Sequence, residues 1–359
     1  MSQREIQEKV SSSIVKALRI KLTIEESREI FARPIKNPAA YELHIRARYE
    51  IWHSTEEGLD RALNLIIEGL EIIGENEILY ADAGQIYILY IDIGIKKEEN
   101  LFKAEECIQK VFALNPRSSD GHYLRGMINR KKGDTQEAVK EFKQSLSIVP
   151  NNPDSLGWLS WVYSHSGKAI EARPLIGKLL EIDLLNPVNY IWAGLLEMLD
   201  GKFDAALKEL CKGLQMVKEN PIFQYWIATG LAYTQNNEEA YKLFNQIELQ
   251  SPSTVWAQLD SFFKFSLQNK KQEALQFIPE DFKSLMKKDE MFPIWLAECY
   301  SLIDEKNEAI NWIEYGVKSG FINYPFLMEY DIFLANIRSE ERFKKLMEEV
   351  KYKWENFEV

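Results

Sequence analysis

The chain has 359 residues, 46% of them hydrophobic and 28% charged, enough to bury a large interior; ordinary domain sizes would divide it into two or three units unless a repeat array sets its own rule. Its 44 Lys and Arg against 55 Asp and Glu leave a formal charge of −11, the wrong sign for tracking a phosphate backbone, so nucleic acid is not an expected partner. Three dispersed cysteines, Cys107, Cys211 and Cys299, suggest neither a disulfide framework nor a zinc site, and fit a reducing compartment or simple burial.

From the N-terminus, residues 1–37 begin with an amphipathic helix, MSQREIQEKVSSSIVKALRI, which lacks the charged-then-apolar order of a signal peptide. The longest apolar stretch follows at residues 77–95, EILYADAGQIYILYIDIGI. Asp82, Gln85 and Asp92 interrupt it, and each Asp would cost about 2.5 to 3.5 kcal/mol near a bilayer centre. It reads as a buried helix, with no membrane insertion. Further on, Gly133 can take the left-handed conformation that ends one helix, and Asp134 with Glu137 forms a capping box that starts the next. Ala138, Val139, Phe142, Leu146 and Val149 then lie on one face of a 3.6-residue helix, and Pro150 stops it. This is half of a helical hairpin.

Such a hairpin cannot bury its face alone, and copies of it fill the chain. Ala104, Ala138, Ala172, Ala206, Ala240 and Ala274 recur every 34 residues; Ala309 follows 35 later and Ala62 precedes Ala104 by 42. Four residues after each stands a large apolar side chain, Ile66, Ile108, Phe142, Ile176, Leu210, Phe244, Ile278 and Ile313. Twelve before stands a mostly small residue, Gly126, Ser160, Gly194, Ala228 and Ala297, with Gly84 corresponding once the long connection is removed and Phe262 breaking the pattern. Small positions let helices approach and the large one fills the gap between them. The extra eight residues before Ala104 predict a longer loop or helix extension around residues 92–102, and Pro279 predicts a bent or shortened second helix near the Phe262 hairpin. At the C-terminus, Ser339 is the expected N-cap of a helix whose Phe343, Leu346, Met347 and Val350 would cap the last hairpin.

A 34-residue helix-turn-helix period with Gly133, Gly167 and Gly201 at the turn and Pro116 and Pro150 near its end resembles the tetratricopeptide repeat. The resemblance implies an all-α, right-handed superhelical solenoid of about eight repeats with helical flanks: residues 1–37 a lead-in, 38–320 the array and 321–359 a capping segment. The flanking segments resemble those beside the repeats of prokaryotic serine/threonine kinase, adenylate cyclase or winged-helix signalling proteins. That likeness implies a stand-alone sensor arm or a piece of a longer polypeptide. A cytoplasmic position is expected, with an extracytoplasmic one open if the parent is membrane-anchored.

No catalytic apparatus is visible. Gly167-Lys168 and Gly201-Lys202 lack the remaining residues of a phosphate loop and fall on repeat turns. His44, His53, His122 and His165 are scattered without metal-ligand spacing, so no metal or cofactor is expected; His165, beside a turn, suits a helix C-terminus. The functional surface must come from geometry, and the resemblance implies that first helices line a concave side. Groove-facing positions are then His44, Arg48, Ala81, Gln85, Tyr123, Met127, Gly157, Trp161, Ile191, Leu195, Tyr225, Thr229, Leu259, Phe263, Ile294 and Glu298. The strip Tyr123, Met127, Trp161, Leu195, Tyr225 and Phe263, with Arg48 and Gln85 at one end, suits an apolar helix or extended peptide. The expected partner is a protein or peptide, or an effector domain of the same polypeptide. The alternative is a sensing arm that binds a small molecule in a pocket between hairpins.

Overall fold

The computed structural model describes residues 35–51, 55–93, 95–218, 220–250, 252, 255–287 and 291–359; the expected lead-in helix and His53 lie outside the described residues. Eight hairpins follow one another: α1 (Pro38–Ile51) with α2 (Glu56–Ile73), α3 (Glu77–Asp92) with α4 (Lys97–Leu114), α5 (Ser119–Lys132) with α6 (Thr135–Ile148), and α7 (Pro153–His165) with α8 (Ala169–Ile182). Then come α9 (Pro187–Leu199) with α10 (Phe203–Met216), α11 (Pro221–Tyr233) with α12 (Asn237–Gln250), α13 (Val255–Leu267) with the short α14 (Lys271–Leu275) and α15 (Glu280–Met286), and α16 (Phe292–Leu302) with α17 (Lys306–Lys318). The expected break is present, since Pro279 stands immediately before α15.

Local chemistry sets these boundaries. Ser118 starts α5 by accepting from the Gly121 amide, and Gly133, at φ 83°, ends it with its amide on the Arg130 carbonyl. Asp134 caps α6 through the Glu137 amide at 3.2 Å, but the Glu137 carboxylate turns to Lys140, so only half of the capping box forms. The left-handed turn position continues beyond the glycines. Gly133, Gly167 and Gly201 are followed in register by Gln235, Asn269 and Asp304, all with φ between 55° and 63°. A left-handed L-residue costs about 1–2 kcal/mol, while glycine costs about 0.5–1 kcal/mol in unfolded-chain entropy. Gln235→Gly should therefore stabilise the protein by about 0.5–1 kcal/mol in urea unfolding; a loss of stability would contradict this account of the turn.

Packing follows the period. Ala62, Ala104, Ala138, Ala172, Ala206, Ala240, Ala274 and Ala309 are each 0% exposed. A Cβ built on Gly126 would lie 2.6 Å from the Phe142 ring, so the small residue of the first helix is the seat of the large one on the second. The eight extra residues are absorbed mainly by helix: α3 has 16 residues and α4 18, against 14 in each of α5 and α6, and the remainder fall between α3 and α4. Neighbouring first helices, α9 and α11 excepted, pack directly on one another, while neighbouring second helices share no interface of comparable extent. The array therefore curves with its first helices inside.

The C-terminal segment departs from expectation. It does not simply cover the end of the last hairpin; residues 321–359 run back along the turns of earlier ones. The Ile322 amide donates to the His165 carbonyl at 3.0 Å, and Asn323 Nδ2 donates to the Ser164 and Leu199 carbonyls, each at 3.0 Å. The Tyr330 ring covers Gly201, Phe333 packs on Tyr233 and Phe263, and Asn336 bonds the Ser301 carbonyl. The last helix, α18 (Glu341–Glu355), buries Phe343, Met347 and Val350, and its Trp354 indole reaches the Gly167 carbonyl at 3.4 Å. Ser339 is not its N-cap. Glu340 holds that position without a side-chain cap bond, its carboxylate being paired with Lys306. The segment is a strap that ties non-adjacent hairpins together.

Candidate functional site

The strap and the curvature decide which inner-face side chains remain available. Met127, Leu195, Tyr225 and Phe263 were expected to line an open groove, but they are 1%, 2%, 2% and 1% exposed and belong to the core. Met127 packs in the core of the N-terminal hairpins and Leu195 in that of the C-terminal ones. Tyr225 sits among Trp226, Trp256 and Trp295, and Phe263 meets Phe333 of the strap at 5.3 Å. An apolar strip running the length of the array is therefore not present.

Trp161 keeps part of its surface. It lies 4.1 Å from the His165 ring and within about 6 Å of Trp158 and Trp192, both also half-buried. A Cβ on Gly157 would come 2.3 Å from the Trp192 ring, so that glycine lets the indole lie across α7. The Arg130 guanidinium stands over Trp158 at 4.2 Å. His165 is buried, its Nδ1 on the Trp161 carbonyl at 2.8 Å and its Nε2 against Met291 Sδ.

The other three expected residues, Arg48, Gln85 and Tyr123, come together. They line a cavity of about 190 Å³ with His44, Ile78, Ala81, Asp82, Asp120 and Asp154. Four successive first helices contribute: α1 gives His44 and Arg48, α3 gives Ile78 to Gln85, α5 gives Asp120 and Tyr123, and α7 gives Asp154. Asp82 is 4% exposed and held by His44 Nδ1 at 2.5 Å and Arg48 Nη1 at 3.5 Å. Arg48 Nη2 also reaches Asp154 at 3.3 Å. Asp120 has no ion pair among the described residues; Asn152, the N-cap of α7, donates to it at 3.3 Å. Tyr123 is 4% exposed and its hydroxyl has no hydrogen-bond acceptor. Trp158 lies near enough to affect it, yet an indole only donates, so the phenolic proton stays unused.

Three carboxylates thus face one guanidinium. Burial, then the Asp154 and Asp82 carboxylates, push Asp120 up to about 6, against the pull of Arg48, with Glu77 adding to the repulsion. A folded pKa above the unfolded value of about 3.9 means that stability is lost as pH rises from about 4 to about 6. Asp120→Asn removes that loss. It should stabilise the protein by about 1 to 3 kcal/mol at pH 7, the lower figure allowing for solvent screening, and the gain should vanish near pH 4. A pH-independent effect in urea unfolding would contradict the assignment. A carboxylate kept at such a cost in a cavity, as Asp120 is, is a candidate binding group.

The acidic trio had a trace in the sequence: Asp120 and Asp154 stand 34 residues apart, at the same place in consecutive repeats. No group of His, Cys, Asp and Glu among the described residues has a metal-binding arrangement. No helix among them is long and apolar enough to cross a membrane.

Comparison with known proteins agrees with this architecture. The tetratricopeptide repeat family model matches residues 119–152, the third hairpin. Human Tetratricopeptide repeat protein 7A is 24% identical over 151 residues, 42% of this chain and 17% of that protein; human Tetratricopeptide repeat protein 7B is 25% identical over 141 residues, 39% and 16%. The chain thus spans about a sixth of the curated relatives it matches. Among solved structures, a tetratricopeptide repeat protein from Parabacteroides merdae superposes with a TM-score of 0.50 at 14% identity, covering 75% of this chain and 100% of that one.

Proposed function

This chain is a tetratricopeptide repeat protein, and we propose that it docks a partner protein through a peptide segment laid on the N-terminal half of its concave face. The repeat fold implies a protein-interaction module. One observation carries the finer reading: a polar cavity is lined by α1, α3, α5 and α7, next to the half-buried Trp158, Trp161 and Trp192, while the C-terminal half of the same face is filled by core packing and the strap. Aromatic platforms beside a polar pocket are a common anchor arrangement in interfaces. The cavity size weighs against the small-molecule alternative. At about 190 Å³ it is below the roughly 300–1,000 Å³ of ordinary ligand sites and suits a single side chain. The likeness of the flanks to prokaryotic signalling proteins supports the role of a non-catalytic interaction arm serving an effector, with residues 38–320 as the array and 321–359 as its fastening. Phage-displayed peptides selected on the full chain test the docking face. Gln85→Trp, which fills the cavity from a half-exposed position, should weaken the selected peptides at least tenfold; binding unchanged by it would refute the reading.

A further inference from the structure

We propose that the cavity recognises a cation of the docked partner, the ammonium or guanidinium of a lysine or arginine side chain, with Asp120 and Asp154 as acceptors and Arg48 as the internal cation that it displaces. The inference rests on the docking face proposed above and names what that face selects.

Three features point to it. The charge balance is incomplete: of the three carboxylates, Asp82 is held by the His44 imidazole and Arg48, Asp154 shares Arg48, and Asp120 has no ion pair among the described residues. The Arg48 contacts, 3.3 and 3.5 Å, are longer than the roughly 2.7–2.9 Å of a tight charge-assisted hydrogen bond, and its side chain is 41% exposed, so it can swing out to solvent. Tyr123 lines the same cavity, 4% exposed, with a hydroxyl that finds no acceptor. With Arg48 withdrawn, that hydroxyl donates to a backbone carbonyl beside the incoming side chain. The chain's formal charge of −11 would attract such a partner at long range, while the cavity would fix its register.

The test uses N-acetylated, C-amidated octalysine with a fluorescent label, and octaglutamate of the same design, measured by anisotropy against the full chain. Octalysine should bind and octaglutamate should not. Asp120→Asn with Asp154→Asn should weaken octalysine at least tenfold, whereas Glu238→Gln with Glu239→Gln, which removes two exposed carboxylates on α12, should change it less than twofold. Equal effects of the two pairs would mean long-range charge alone and would overturn the inference. Arg48→Met gives an independent arm: displacement predicts severalfold tighter octalysine binding, and weaker binding overturns it. Should the double Asn variant lose its near-ultraviolet circular dichroism, Asp154→Asn alone, at a 34% exposed side chain, carries the same comparison. Spermidine competing as strongly as octalysine would place the cation on a free polyamine and overturn the peptide assignment. Octalysine binding lost in Gln85→Trp but kept in the Asn variants refutes the inference and spares the docking face; binding unaffected by either refutes both.

Discussion

Deletion of residues 339–359 should destabilise the protein by on the order of 5 kcal/mol and lower its solubility. Phe343, Met347 and Val350 are 0%, 3% and 0% exposed, and each fully buried side chain of this kind contributes about 1.5–3 kcal/mol. Removing them exposes their neighbours on α17 and releases Lys306 from Glu340 and Glu314 from Arg342, surface pairs that add little. The loss also reaches the middle of the chain, since the Trp354 indole on Gly167 and the Gln136–Glu358 bonds couple α18 and the residues after it to the third and fourth hairpins. An array that communicates only between neighbours would lose its last hairpin alone. The strap predicts a lower melting temperature and weaker hydrogen-exchange protection at residues 163–168 as well. An unchanged melt would show that α18 is only a tail.

Alkaline pH should also weaken the fold, through Asp260. This residue on α13 is 0% exposed, and neither carboxylate oxygen has a hydrogen-bond partner among the described residues. Burial, then Glu248, push its pKa up to about 9, with Lys264 opposing. The folded value lies above the unfolded one of about 3.9, so the contribution to stability is full at low pH and is lost as pH rises through 4 to 9. At about 1.4 kcal/mol per pH unit, the loss is on the order of 5 kcal/mol. Asp260→Asn keeps the shape and cannot ionise. The difference in unfolding free energy between variant and wild type should grow in favour of the variant from pH 5 to pH 9; a constant difference would place a cation or water against the carboxylate.

The repeat was legible because packing imposed it on residue size. Phe142 sits against Gly126 and Leu210 against Gly194, so a 34-residue spacing of small and large side chains is the fold written in one dimension. Pro279 marked the broken second helix for an equally local reason, its missing amide. The strap was not legible in the same way. Asn323 and Phe333 meet Ser164 and Tyr233 across more than a hundred and exactly a hundred residues of chain respectively, and no periodicity reports such contacts. That omission put Tyr225 and Phe263 on an open face, since they look groove-facing by register yet are buried in the core, Phe263 against the strap. Arg48, Gln85 and Tyr123, also groove-facing by register, share one cavity. What their spacing concealed was the company of Asp82, in the middle of α3, and of Asp120 and Asp154, whose places in the first turns of α5 and α7 have a sufficient explanation in the helix dipole.

Hydrogen–deuterium exchange on the full chain, with and without a saturating peptide selected on it, tests the docking face most directly. Protection concentrated in α1, α3, α5 and α7, around residues 44–48, 78–85, 120–123 and 154–161, with none in residues 321–359, is the predicted result. Protection confined to α11 through α18, with the N-terminal first helices unchanged, would contradict it.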